Sequence, residues 1–311
     1  MNVNHSDRTA ITAAAARIAG HVRETPVFAL PPEALGLPAG APLVLKLEHL
    51  QVSGSFKARG AFNSLLAEPV PGAGVIAASG GNHGAAVAAA ARTLGVPAEI
   101  FVPEITGAAK RARIAALGAR LVIGGATYDE ARQASEARAA ATGARLIHAY
   151  DQPAVLAGQG TLAPEIERQA PGLTHLLVAV GGGGLIGGIA GWGGAARLVA
   201  VEPEGCPALH LALAAGRPVA APVGGVAADS LGARQIGALG FAAAQAQGIE
   251  SVLVSDAAIT EARRRLWDAC RLAVEPGGAT ALAALVCGAF QLPAGARVGV
   301  LVCGANTDAL V

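Results

Sequence analysis

Lysine is scarce in this chain. Of its 23 basic residues, only Lys46, Lys57 and Lys110 are lysines; the others are arginine. Arginine stays protonated at all ordinary pH, whereas a lysine amine can lose its proton and attack a carbonyl. A lysine retained in so biased a chain is therefore a candidate for its chemistry. Lys46 lies in the run VLKLEHL and reads as a strand lysine reaching solvent, and Lys110 opens the charged face KRAR and reads as solvated. Lys57 stands in VSGSFKARGAFNSLL, a small-residue turn running into a helix. A helix N-terminus and apolar neighbours both lower an amine's pKa. Residue type alone leaves open an exposed lysine in a first helical turn.

A second feature points to phosphate. In VAVGGGGLIGGIAG, Gly182, Gly184 and Gly187 fit G-x-G-x-x-G after an apolar strand, with Glu202 of LVAVEP downstream as a ribose-binding acid would be. Glycines allow close backbone approach and a helix N-terminus supplies positive potential, for a dinucleotide or for one phosphate alike. The loop by itself cannot separate a nicotinamide-dependent oxidoreductase from an enzyme using another phosphorylated cofactor.

Composition narrows the partners. A formal net charge of +1 gives no electrostatic case for nucleic acid or an anionic membrane, and 3% aromatic residues offer few base-stacking platforms. Cys206, Cys270, Cys287 and Cys303 show no C-x-x-C spacing, which fits reduced thiols and a cytoplasmic chain. The N-terminus lacks the unbroken apolar block of a signal peptide. The uncharged stretch between His175 and Arg197 approaches the roughly 20 residues of a membrane span. Its nine glycines, following LLVAV, favour a strand and a glycine loop.

These residues need elements to hold them. PLVLKLEHL, GVIAAS, AEIFVP, ARLVIGG, ARLIHAY, HLLVAV, ARLVAVEP, VLVSD and VGVLVCG read as strands. Between them lie helices such as HGAAVAAAARTLG and AAKRARIAALG, each closing on a capping glycine. Strands buried on both faces and separated by helices specify α/β architecture with doubly wound parallel sheets. The span from about Val75 to His148 suffices for a compact α/β unit, with a cleft between it and the remainder.

LEHLQVSGSFKARGA resembles the cofactor-lysine segment of the threonine/serine dehydratase family, pyridoxal-phosphate enzymes of fold type II that include serine racemase. ASGGNHGAAVA, GQGTLAPEI with VGGGGLIGG, and VEPGGATALAAL with LVCGANTD match in the same order, from about residue 10 to the end. The resemblance implies two doubly wound domains with pyridoxal 5'-phosphate in the cleft between them. The large domain would be residues 1–64 and 149–311, the small one 65–148.

By resemblance, Lys57 carries the cofactor and takes the substrate's α-proton, while Phe56 packs near the ring. Gly181, Gly182, Gly183, Gly184 and Leu185 wrap the cofactor phosphate. Asn82 meets the phenolic oxygen, and Ser79, Gly80, Gly81, Asn82 and His83 form the loop that receives the substrate carboxylate. Cys303 faces the pyridine nitrogen, where a neutral thiol leaves the ring a moderate electron sink. Glu275 lies at the cofactor edge. Read without the match, Phe56 and Cys303 are core residues, His83 a polar helix-start residue and Glu275 a first-turn acid.

Two positions depart from the family pattern. Racemases of the family carry a serine where this chain has Gly80, which has no side chain to deliver a proton. Relatives that bind a cation use the acid matching Glu202 and often an Asp or Ser where this chain has Ala208, so side-chain ligation of Mg²⁺ is incomplete. No metal site is assigned, a monovalent ion held by backbone carbonyls staying open. The resemblance thus implies an ammonia-lyase for L-threonine or L-serine, with a racemase, a lyase for hydroxyaspartate or a non-catalytic cofactor carrier as alternatives. A homodimer is the family expectation. The sequence ends at Val311, shortly after the last strand, which predicts no regulatory domain and no isoleucine feedback.

Overall fold

The computed structural model describes residues 7–307. Ten strands alternate with helices: β1 (Val27–Leu30), β2 (Leu43–Lys46), β3 (Val75–Ala78), β4 (Ala98–Val102), β5 (Arg120–Ile123), β6 (Arg145–Leu146), β7 (His175–Ala179), β8 (Arg197–Pro203), β9 (Glu250–Val254) and β10 (Val298–Leu301). They form a six-stranded sheet in the order β1-β2-β10-β7-β8-β9 and a four-stranded sheet in the order β5-β4-β3-β6. The smaller sheet is parallel throughout, and in the larger one every pairing except β1 with β2 is parallel.

All nine expected strands form. The one the pattern missed is β1, an antiparallel edge of four residues between Pro26 and Pro31, too short to show a period and bounded by residues that cannot extend a ladder. The central strands β2, β3 and β10 are buried at every position, as apolar strands covered on both faces must be. The expected cap glycines hold: Gly95 closes the helix Asn82–Leu94 at φ +68°, and Gly118 at φ +88° follows the helix Ala108–Ala116.

Each sheet has its own core. The larger cluster joins β2, β7, β8 and β10 to the helices Gly184–Trp192 and Pro276–Val286. The smaller takes Val75, Ala77, Ile100 and Val102, but also Ile18 and Ala58, Ala61, Phe62 and Leu65. The helix Lys57–Leu66 therefore leaves the large sheet through β2 and packs its apolar face into the small unit's core. It spans the expected boundary at residue 64.

Lys46 corrects the sequence expectation. It does not reach solvent: it is 1% exposed, and its Nζ donates to Thr25 O at 2.6 Å and Gln169 Oε1 at 2.7 Å and pairs with Glu165. Arg59 lies in the same cluster, bridging Glu48 at 2.7 Å and Glu165 at 2.8 Å. Two cations face two carboxylates, so burial is tolerated only because every charge is paired.

Candidate active site

Strand ends gather the site. In open α/β sheets ligands sit beyond the carboxyl ends of strands, where neighbouring connections diverge. Here the neighbouring strands β7 and β10 release the glycine loop and Cys303, β3 releases Ser79–Gly81, and β2 leads through two short 3-10 turns to Lys57. In the last of these turns Ser53 and Gly54 are both left-handed, at φ +63° and +79°, which swings the chain into the lysine helix. Phe56 N donates to Cys303 O at 3.1 Å and Ala305 N to Gly54 O at 3.0 Å, so the lysine and cysteine segments are laced together.

Lys57 is partly buried. Its Nζ donates to Ala149 O at 2.6 Å and lies 5.3 Å from the Phe56 ring centroid. Burial pulls the amine down to about 8, against the opposing pull of Cys303 and Glu275. One residue beyond Ala149, the Tyr150 ring packs so tightly on the glycine loop that a Cβ on Gly182 would collide with it. Gly183, at φ +86°, caps the helix Gly184–Trp192. Among the described residues the amides of Gly181, Gly182, Gly183, Gly184 and Leu185 have no protein acceptor. Five unpartnered amides at a helix N-terminus form a cradle for one phosphate.

Asn82 and Glu275 meet although 193 positions apart: Asn82 Nδ2 donates to Glu275 Oε1 at 2.6 Å, and Asn306 Nδ2 donates to Asn82 Oδ1. Glu275 therefore does not spend its side chain capping its own helix. Burial lifts its carboxyl to about 7, with the Asn82 bond pulling the other way. Cys303 is 3% exposed, donates to Gly277 O at 3.3 Å and is pushed well above the ordinary thiol range by burial, so it stays a neutral thiol. His83 Nε2 lies 2.9 Å from Ile147 O and is pulled down to about 3, chiefly by burial. It is a neutral imidazole anchored to the backbone. Ser79 Oγ accepts from Gly81 N at 3.2 Å and shapes the loop. A Cβ on Gly80 would lie 2.7 Å from both Oγ1 and Cγ2 of Thr106.

Glu202 spends its carboxylate on neighbours within the fold. It is fully buried, and its two oxygens accept from Leu209 N and His210 N at 2.7 Å each and from Ser251 Oγ at 3.1 Å. It caps the helix Ala208–Ala215 from a distance, and burial lifts its carboxyl to about 7. Among the described residues no group of three His, Cys, Asp or Glu could hold a metal ion. Lys110 is also less free than expected, pairing with Asp229 at 2.6 Å.

Sequence reasoning missed several neighbours. Gly304, within LVCGANTD, is closed to any side chain because a Cβ there would collide with Glu275 Oε1. Asn306 lies in the same motif and carried a readable signal; Ala149, Tyr150, Thr106 and Asp229 carried none.

A lysine amine drawn down to about 8, free amides at a glycine loop and a buried neutral thiol fit pyridoxal phosphate, while Glu202, the expected ribose acid, is engaged by backbone amides. The family of pyridoxal-phosphate dependent enzymes matches residues 18–304, and the chain belongs to it. The chain is 38% identical over 253 residues to the L-threonine ammonia-lyase of Geobacter sulfurreducens, a match covering 79% of this chain and 63% of that protein. It is 38% identical over 315 residues to the phenylserine dehydratase of Ralstonia pickettii, covering 97% and 94% of the two chains. The structure of maize serine racemase superimposes with a TM-score of 0.89 at 32% identity, covering 98% and 94%. Among the described residues no helix is long and apolar enough to cross a membrane.

Proposed function

We propose that the chain is an ammonia-lyase that eliminates the β-hydroxyl of L-threonine or L-serine, the product hydrolysing to 2-oxobutanoate or pyruvate and ammonia. The observation that carries this is the Lys57 amine, drawn down to about 8 beside a phosphate cradle and facing a loop whose Gly80 bears no acid. When bound, pyridoxal phosphate supplies the electron sink that acidifies the substrate's α-proton.

The protein's part follows from its residues. The amides of Gly181–Leu185 would hold the phosphate, Phe56 would pack near the ring and Asn82, held by Glu275 and Asn306, would meet its phenolic oxygen. Cys303, as a neutral thiol, does not charge the ring nitrogen, which suits expulsion of a leaving group over prolonged carbanion storage. The backbone of Ser79–His83 would receive the substrate carboxylate at the start of a helix, where the dipole favours an anion. Lys57 takes the α-proton from its side. On the Gly80 side no serine hydroxyl returns it, and Thr106 fills the adjoining space. This supports elimination over racemisation.

The proposal includes a large domain of residues 1–64 and 149–311 and a small one of 65–148, supported by the partition of strands between the two sheets. It also includes a cytoplasmic homodimer. Purified protein is expected to absorb in the visible and to release 2-oxo acid and ammonia from one member of a β-hydroxy amino acid panel. That panel should hold phenylserine, because the Ralstonia relative matches almost end to end. Lys57→Ala should abolish both signals. Absorbance without turnover would leave a cofactor carrier, and D-serine from L-serine as the main product would make it a racemase. Sedimentation tests the dimer.

A further inference from the structure

The segment Ala228–Ile236 roofs the site. A Cβ on Gly81 would lie 3.5 Å from Asp229 O, one on Gly181 would lie 2.9 Å from the Leu231 backbone, and one on Gly183 would lie 2.6 Å from Ile236 Cδ1. The same short stretch therefore overlies both the carboxylate loop and the phosphate cradle. It is tied across the cleft by two ion pairs. Asp229 Oδ2 meets Lys110 Nζ at 2.6 Å, and Arg234 Nε meets Asp129 Oδ2 of the small unit at 3.4 Å. Glu275 feels these charges, Lys110 and Arg113 drawing its carboxyl down and Asp229 pushing it up. Arg113, on the same helix as Lys110, is turned to Ser53 O at 3.2 Å.

We infer that Asp229 is a specificity-determining residue: its carboxylate, held at the mouth of the cleft by Lys110, admits amino acids with uncharged side chains and rejects those with a second carboxylate. The inference rests on the reading above, in which the Ser79–His83 loop receives the α-carboxylate. A substrate anchored on the Ser79–His83 loop lies beneath residue 229, whose backbone oxygen would be 3.5 Å from a Cβ on Gly81. A hydroxyl, methyl or phenyl group meets no opposing charge there. A second carboxylate meets the Asp229 carboxylate and finds Lys110 already paired, an arrangement that discriminates by repulsion. Removing the carboxylate lifts the repulsion and releases Lys110 to receive the ligand. Solvent screens part of the effect, because the Asp229 side chain is 81% exposed.

The test is equilibrium binding to the holoenzyme by calorimetry at low ionic strength, with L-alanine and L-aspartate, neither of which has a β-hydroxyl to lose. Wild type is expected to bind alanine more tightly than aspartate. Asp229→Asn should raise the aspartate-to-alanine affinity ratio about 5-fold, and Asp229→Asn with Lys110→Met should cancel the gain. An unchanged ratio in Asp229→Asn overturns the inference, as does a gain that survives Lys110→Met, while turnover of serine or threonine by wild type still supports the lyase reading. Failure of wild type to bind either amino acid removes the lyase reading and this inference with it.

Discussion

Desolvation draws the Lys57 amine toward a free base and outweighs the opposing pull of Cys303 and Glu275. Cys303 is kept neutral by burial, whereas Glu275, lifted to about 7, is largely ionised at about pH 8 and pulls against the shift, so desolvation of the amine has to outweigh it. In cofactor-free protein the fraction of free amine should therefore rise through a midpoint near pH 8. The sign follows from the lowered value: protonated and unreactive below it, nucleophilic above it. Cofactor uptake, trapped with borohydride at a series of pH values, measures that midpoint. A midpoint close to that of an ordinary exposed lysine would mean that Lys57 is not desolvated. His83 makes the complementary case. A histidine in a catalytic loop invites an acid–base role, but its ring nitrogen sits against Ile147 O and its pKa falls to about 3, so its place is to hold the loop.

At the scale of elements, the strand-to-helix joints do the positioning. The joint after β7 presents its amides because no side chain intervenes between it and Tyr150. Gly182→Ala forces the aromatic ring or the loop aside, a strain of about 1–3 kcal/mol in a packed site. Cofactor affinity should fall at least about 10-fold, the equivalent of 1.4 kcal/mol, as read by titrating apoprotein against visible absorbance. Unaltered affinity would show that the loop does not hold the phosphate. The joint after β10 works similarly: Gly304 lets Glu275 approach, and the approach brings Asn82 into register. Strands, helices and cap glycines of these joints were legible because each is written in a few adjacent residues. β1 was not, since four residues at an edge carry too little pattern.

For the molecule as a whole, the lysine helix must be held against the large sheet while its apolar face lies in the small unit's core. The cluster of Lys46, Glu48, Arg59 and Glu165, with Thr25 and Thr161, does this from four separate stretches of chain. Arg59→Ala leaves Glu48 and Glu165 facing each other with one cation between them. A loss of about 3–5 kcal/mol is expected, since breaking a buried pair strands a charge. Denaturant unfolding measures it, and a change below about 1 kcal/mol would mean that water reaches the cluster. Cofactor retention should weaken in the same variant, because Arg59 is two residues from Lys57.

The sequence by itself determined the α/β class, the order of the motifs, and the lysine and the glycine loop as candidates for holding the cofactor and its phosphate. Each is encoded in local spacing, residue type or motif order. Tertiary structure alone decided that Lys46 is buried, that Glu202 is consumed by backbone amides and that Asn82 binds Glu275. It also decided that Asp229 stands over the Ser79–Gly81 loop. Such contacts join residues far apart in the chain, and whether a polar group meets water, a partner or a ligand depends on which surfaces the packed sheets bring together.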